Sequence, residues 1–220
     1  MVKNKLLRFE EMKSFSNVIQ FPFEEVQNGF WLKEKWNEVY FKNNNPIVLE
    51  LACGKGEYAI GLAEKFPQKN FIGIDIKGSR LWRGAKTALE KNLLNVAFLR
   101  MRIDFIEHCF AKNEVSEIWI TFPDPQPNKE KKRLTHAIFL NRYKNILKPN
   151  SSIHLKTDNA ELYEFTLKVI KENNFHLLLS TNNLYSENIF EFEEAKSIQT
   201  FYEKQFLAER KNITYLSFLL

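Results

Sequence analysis

The feature that most constrains this 220-residue chain is a repeated alternation. Short apolar runs of strand length are separated by stretches of helical periodicity. Pro46–Leu51 (PIVLEL), Asn70–Ile74, Val96–Met101, Glu117–Phe122 (EIWITF) and Ser152–Lys156 (SIHLK) read as buried strands, and Phe175–Ser180 and Ile213–Leu219 complete the set. Between them, helices are predicted over Glu57–Phe66, Ser79–Asn92, Leu134–Leu147, Ala160–Asn173 and about Gln199–Glu209. Leu81, Ala85, Ala88 and Leu89 share the core face of the second of these. Pro67 ends the first and Pro149 stops the third. Such an order makes an α/β fold, a mostly parallel sheet with helices on both faces. Met1–Asn45 precedes the first strand as an appendage on the same domain, and 46–220 forms the domain proper. No internal repeat or low-complexity tract interrupts it.

Open α/β sheets bind ligands outside the carboxyl ends of their strands. Those ends here are Glu50–Gly56, Asp75, the region of Asp104, Pro123–Pro127 and Thr157–Asn159. The first strand runs into Ala52-Cys53-Gly54-Lys55-Gly56 and then a helix, a turn that suits close approach of backbone to a ligand. Taken alone the pattern also matches G-x-G-x-x-A of dinucleotide enzymes, with Ala59 last. Asp75 suits a ribose hydroxyl pair under either reading, and its plain alternative is a cap for the following helix. Glu50 separates the two. A carboxylate at this helix start repels a pyrophosphate but attracts the ammonium and sulfonium of S-adenosylmethionine.

The fourth strand ends in Thr121-Phe122-Pro123-Asp124-Pro125-Gln126-Pro127. Prolines on both sides are expected to hold Asp124 in a stiff, extended loop beside the cofactor crevice. Asn128-Lys129-Glu130-Lys131-Lys132-Arg133 follows. The chain carries a net charge of +5, and this run adjoins the acceptor side, which makes it a candidate for phosphate contact over a merely solvated face. Lys156, Thr157, Asp158 and Asn159 are expected along the same edge.

Cys53 and Cys109 form neither a disulfide framework nor a metal-ligand spacing, so no metal is expected. The N-terminal residues lack an apolar run of signal-peptide length, and no stretch approaches the roughly 20 apolar residues of a bilayer span. The expectation is a cytosolic protein with reduced thiols. The 20 Phe point to an aromatic-rich core.

From about Asn45 to the C-terminus the motifs resemble the bacterial tRNA (guanine-N7)-methyltransferase family. The pieces are NPIVLELACGKGEY (45–58), FIGIDIKGSR (71–80), TFPDPQPNKEKKRLTHAIFL (121–140), SIHLKTDN (152–159) and QTFYEKQF (199–206). The resemblance implies a Rossmann-like class I methyltransferase sheet with one antiparallel C-terminal strand. It implies methyl transfer from S-adenosylmethionine to N7 of guanine 46 in the tRNA variable loop, by a monomer or homodimer. By motif position Glu50, Gly54, Gly56, Asp75, Asp104 and Asp124 line the cofactor site, and Asp124 is catalytic. Asn128 or Lys129, with Asp158, Thr200, Phe201, Tyr202 and Glu203, faces the substrate. Lys131, Lys132 and Arg133, helped by Lys3, Lys5 and Arg8, are expected on tRNA phosphates. Three departures stand out. Ala52 replaces a glycine, so the turn there is expected to avoid left-handed geometry. Gln126 stands where a Trp is common. Arg102 takes the place of an acid near the adenine, with Asp104 two residues on.

N7 of guanine has a free lone pair, so no general base is required and catalysis rests on orientation and charge. Asp124, Asp158 and Glu203 are expected to stabilise positive charge developing on the ring. They also suit the N1–H and amino group that distinguish guanine from adenine. Three competing readings are an exocyclic-amine methyltransferase, whose usual aromatic Gln126 and Pro127 do not supply, a nicotinamide-dependent oxidoreductase, which Glu50 opposes, and a non-catalytic tRNA-binding module, which the intact set of Glu50, Asp75, Asp124 and Asp158 opposes.

Overall fold

The computed structural model describes residues 2–27 and 29–220. Among these residues eight strands form one sheet: β1 (Val18–Gln20), β2 (Ile47–Leu51), β3 (Asn70–Asp75), β4 (Val96–Arg100), β5 (Val115–Thr121), β6 (Leu147–Thr157), β7 (His176–Thr181) and β8 (Thr214–Leu219). Their spatial order is β1-β4-β3-β2-β5-β6-β8-β7. All neighbouring pairs are parallel except those of β8, which runs antiparallel to both β6 and β7. The chain steps outward from β2 through β3 and β4, then returns to the other side of β2 as β5. The β2/β5 boundary is therefore the topological switch point, where such sheets bind ligands.

Alternation along each strand sorts side chains to two cores. Ile47, Leu49 and Leu51, with Ile118, Ile120, Ile153 and Leu155, pack on one face under α5 (Ile106–Cys109), α6 (Ala137–Ile146) and α7 (Ala160–Glu172). Val48, Phe71, Phe98 and Trp119 pack on the other, under α1 (Val2–Lys13), α3 (Glu57–Lys65), α4 (Gly78–Glu90) and α8 (Glu193–Lys196). Leu81, Ala85 and Ala88 of α4 are fully buried, whereas Leu89 turns partly to solvent.

The described residues before Pro46 pack against the sheet and its helices. Met12 enters the α4 core, and Glu11 accepts from the Trp82 indole and the Lys86 ammonium. β1 extends the sheet beside β4, with Val18 opposite Phe98, and the short helix α2 (Phe23–Gln27) follows it. Trp36 stacks on Phe110 at 5.4 Å and donates to the Cys109 carbonyl.

Pro149 corrects one expectation. Helix α6 ends at Ile146 and β6 begins at Leu147, so Pro149 lies within the strand. The ladder tolerates it because residues 148–151 bulge outward: Val115 pairs with Leu147, and the next partners are Glu117 and Ser152. Asn150 takes the left-handed conformation at φ 60°.

Candidate active site

The loop after β2 turns three times through the left-handed region, at Ala52 (φ 56°), Gly54 (φ 56°) and Gly56 (φ 63°). Ala52 thus adopts the geometry its Cβ was expected to forbid, at a cost of roughly 1–2 kcal/mol. At Gly56 the requirement is stricter. A Cβ there would lie 2.3 Å from the Phe98 ring, so only glycine turns the chain into α3 at this spot.

Glu50 sits under this loop with 3% exposure. Oε2 accepts from the Ala59 amide at 2.8 Å, and Oε1 accepts from the Thr121 hydroxyl at 2.9 Å. The carboxylate therefore occupies the anion position at the start of α3 that a pyrophosphate uses in dinucleotide folds. Burial pushes its pKa up to about 8 against these two hydrogen bonds, with Glu57 and Asp75 adding to the rise. It lines a cavity with Gly54, Lys55, Arg80, Phe122, Thr200 and Tyr202. A buried carboxylate without a cationic partner, facing a cavity, fits the positively charged end of S-adenosylmethionine.

A linkage follows. Bound cation favours ionised Glu50, so cofactor affinity rises roughly tenfold per pH unit below pH 7 and levels above the Glu50 pKa of about 8. Glu50→Gln removes that dependence. The sign for stability is opposite. Unfolded, the carboxyl ionises near 4.5; folded, near 8. The folded state holds the proton between these values, so this group's contribution falls as pH rises across that window. Glu50→Gln is therefore more stable than wild type at pH 8 while binding the cofactor more weakly. Calorimetric titration and thermal melts from pH 6 to 9 check both signs.

A second cavity of about 350 Å³ continues from Ala52 along Asp75, Ile76, Met101, Ile103 and Asp104 to Gln126, Lys131 and Lys132. Apolar side chains between two carboxylates suit a nucleoside. Asp75 Oδ2 accepts from the Gly54 amide at 2.8 Å and Oδ1 from the Lys77 amide at 2.7 Å. Neither bond caps α4, whose N-cap position is Lys77 with no side-chain cap; Asp75 instead ties β3 to the glycine loop and to the turn before α4. Each oxygen retains a further lone pair. Asp104 accepts from the Arg102 guanidinium at 3.2 Å, with Arg142 at 3.5 Å.

The loop bearing Asp124 bridges the two cavities, since Phe122 lines the first and Gln126 the second. It is not simply extended. Phe122 and Gln126 stand at φ 47° and 48°, and the Asp124 carboxylate accepts from the Gln126 amide at 3.1 Å. Asp124 is exposed, as are Asn128, Lys129, Lys131 and Lys132.

Arg133 overturns its expected role. It is 2% exposed and donates from Nε to the Pro125 carbonyl at 3.0 Å. Its Nη2 pairs with Glu161, and its guanidinium covers the Phe165 ring at 4.5 Å. It pins the Asp124 loop to α7 and is not available to phosphates. Arg133→Ala is expected to lower stability by about 2 kcal/mol, roughly 4–8 °C in Tm, and to leave the salt slope of RNA binding unchanged. Lys131→Ala and Lys132→Ala each reverse the pattern, with Tm near wild type and the slope reduced by about 0.7–0.9. Arg8 lies over the Trp82 ring at 4.7 Å. The side chains of Lys3 and Lys5 fall outside the described residues.

Segment 197–204 closes the first cavity. Thr200 caps α9 (Phe201–Ala208), accepting from the Glu203 amide, while the Glu203 carboxylate accepts from the Thr200 amide, a reciprocal box. Phe201 and Tyr202 are about half exposed. Glu203 is a second correction: it has no exposure and cannot face a substrate. Its carboxylate lies 2.6 Å from Lys156 Nζ and accepts from the Tyr185 hydroxyl at 2.7 Å. Lys156, also fully buried, spends its other donors on the Ala195 and Ile198 carbonyls at 2.6 and 3.1 Å. Burial lowers its pKa against the pull of Glu203. This hub, unforeseen in its role, ties segment 195–203 to the sheet. Its signal was a lysine alternating onto a covered face of a central strand.

Asp158 is set apart from both cavities. It lines a third with Tyr163, Arg210 and Lys211, and burial raises its pKa. Among the described residues no group of three or more His, Cys, Asp or Glu could hold a metal ion, and no helix is long and apolar enough to cross a membrane. Both cysteines are free.

A doubly wound sheet with a cation-seeking carboxylate in the anion position at the start of α3 defines a class I S-adenosylmethionine-dependent methyltransferase. Solved structures support the fold. The chain superposes with TM-score 0.66 on an antibiotic-related methyltransferase, 15% identical, covering 94% of this chain and 98% of that one. The 16S rRNA methyltransferase KamB gives 0.63 at 15% identity, over 92% and 95%. A family model described as "Putative methyltransferase" matches residues 44–216. Among curated proteins, the tRNA (guanine-N(7)-)-methyltransferase of Christiangramia forsetii is 55% identical, over 98% of this chain and 97% of its own. Those of Bacteroides fragilis (47%, over 100% and 87%) and Cytophaga hutchinsonii (40%, over 99% and 98%) carry the same name. The chain belongs to the tRNA (guanine-N(7)-)-methyltransferase family.

Proposed function

We propose that this chain methylates N7 of guanine 46 in the tRNA variable loop, in the cytosol, as a monomer or homodimer. The observation that carries the reading is the Asp124 loop, held by buried Arg133 between the Glu50 cavity and the Asp75–Asp104 trough. When bound, S-adenosylmethionine supplies an electrophilic methyl group on a sulfonium. Glu50 fixes the cationic end, Gly54 and Gly56 keep the loop clear of it, and Asp75 and Asp104 receive the nucleoside. Asp124 stabilises positive charge on the guanine as it forms, without removing a proton. Asn128 or Lys129 holds the acceptor near the loop, and Lys131 and Lys132 meet phosphates. Thr200, Phe201 and Tyr202 close the other side, with Asp158 on the more distant RNA. Transcripts of tRNA with guanine 46 replaced by adenine should accept no methyl group. Undiminished acceptance by that transcript refutes the assigned position.

A further inference from the structure

A groove of about 650 Å³ runs outward from the Glu50 cavity between α3, α4 and segment 197–204, sharing Lys55 and Glu57 with that cavity. Its close walls depend on Gly61, where a Cβ would lie 2.9 Å from the Ile198 side chain. Five basic and two acidic side chains line it, an excess of three positive charges in a chain whose whole net charge is +5. Both acids are already engaged: Glu64 pairs with Lys91 at 2.5 Å, and Glu57 accepts from the Phe201 amide. Lys65, Arg83 and Lys204 remain to face the groove, Arg83 in a half-exposed contact with Glu90 at 3.4 Å. At the shared mouth Lys55 lies over the Phe201 ring at 4.3 Å, and Phe201 and Tyr202 form an exposed edge-to-face pair.

We infer that this groove is a second RNA-binding surface. It carries the phosphate backbone of the substrate away from the methyl-transfer cavity, on the opposite side from Lys131 and Lys132. A lining with a net positive excess suits a polyanion, and exposed aromatic rings at its entrance suit stacked bases. The inference rests on the RNA reading above and adds where the substrate lies. It also explains how the chain binds RNA although Arg133 is withdrawn.

The test is the variant K65Q/R83Q/K204Q, none of whose residues belongs to the methyl-transfer machinery. We expect tRNA affinity to fall at least tenfold at moderate salt and the salt slope of binding to drop by about 2–3. Affinity for S-adenosylmethionine should stay within twofold. A five-nucleotide RNA around the target guanine, too short to span the groove, should be bound equally by variant and wild type. A slope within 0.5 of wild type overturns the proposal, as does equal loss with tRNA and the short RNA. Binding is read apart from transfer, so wild type that binds tRNA without methylating it counts against the proposed activity, while the slope still judges the groove.

Discussion

Replacing Asp124 by alanine should slow methyl transfer to tRNA by about 10²–10³-fold, the loss typical of one preorganised electrostatic partner, while cofactor affinity stays within about threefold. The side chain is exposed, and among the described residues its hydrogen bond is from the Gln126 amide. Little folding energy rests on it, so Tm should move by no more than a degree or two. That amide bond creates one ambiguity, because the alanine also releases the turn. Asp124→Asn resolves it by keeping an acceptor for Gln126 while removing the charge. If charge stabilisation is the role, the asparagine variant is nearly as slow as the alanine one. If the carboxylate only shapes the loop, asparagine restores most activity. Equal turnover in wild type and both variants sinks the assignment.

The second large effect concerns stability. Lys156→Met leaves Glu203 buried without its cation and the Ile198 carbonyl without its lysine donor, while the Ala195 carbonyl keeps only the Tyr58 hydroxyl of its two donors among the described residues. Breaking a buried pair from one side costs about 3–5 kcal/mol, or roughly 10 °C in Tm for a domain of this length. Lys156→Met/Glu203→Gln removes the stranded charge and should recover part of that loss. Glu203→Gln alone keeps the Tyr185 contact but strands the lysine, so it should also destabilise. The residue cannot be read as a substrate ligand on these terms. Weakened tRNA turnover in a Glu203 variant should scale with loss of the folded segment 195–203, seen as faster proteolysis there. Differential scanning fluorimetry of the four proteins checks the cycle, and additive effects of the two substitutions contradict a coupled pair.

The sheet was legible because its central strands are near-continuous apolar runs, and their buried pairing needs no other signal. β1 was not, since three residues (VIQ) carry no periodicity and owe their strand form to β4 beside them. Pro149 misled for a related reason: the bulge that accommodates it is a property of two paired strands, not of its own segment. Glu50 and Asp75 were legible as strand-end acids next to a glycine turn. Arg133 reads outward because it ends a charged run, and Glu203 because the resemblance places its motif at the substrate. Whether a charge faces solvent or a partner depends on which distant residue meets it, here Glu161 and Lys156. Ala52 shows that local preference sets a cost and not a prohibition, since it stands at φ 56° in a turn whose next residue, Cys53, donates its amide to the Ile74 carbonyl of β3.

The most direct measurement joins the Glu50 site to the Asp124 loop in one readout. The protein is incubated with methyl-labelled S-adenosylmethionine and tRNA lacking the modification, and the RNA is digested to nucleosides. Label in 7-methylguanosine is the predicted result, lost when Asp124 is replaced by alanine. Label in a base methylated on an exocyclic amine, or no label in any nucleoside, contradicts it.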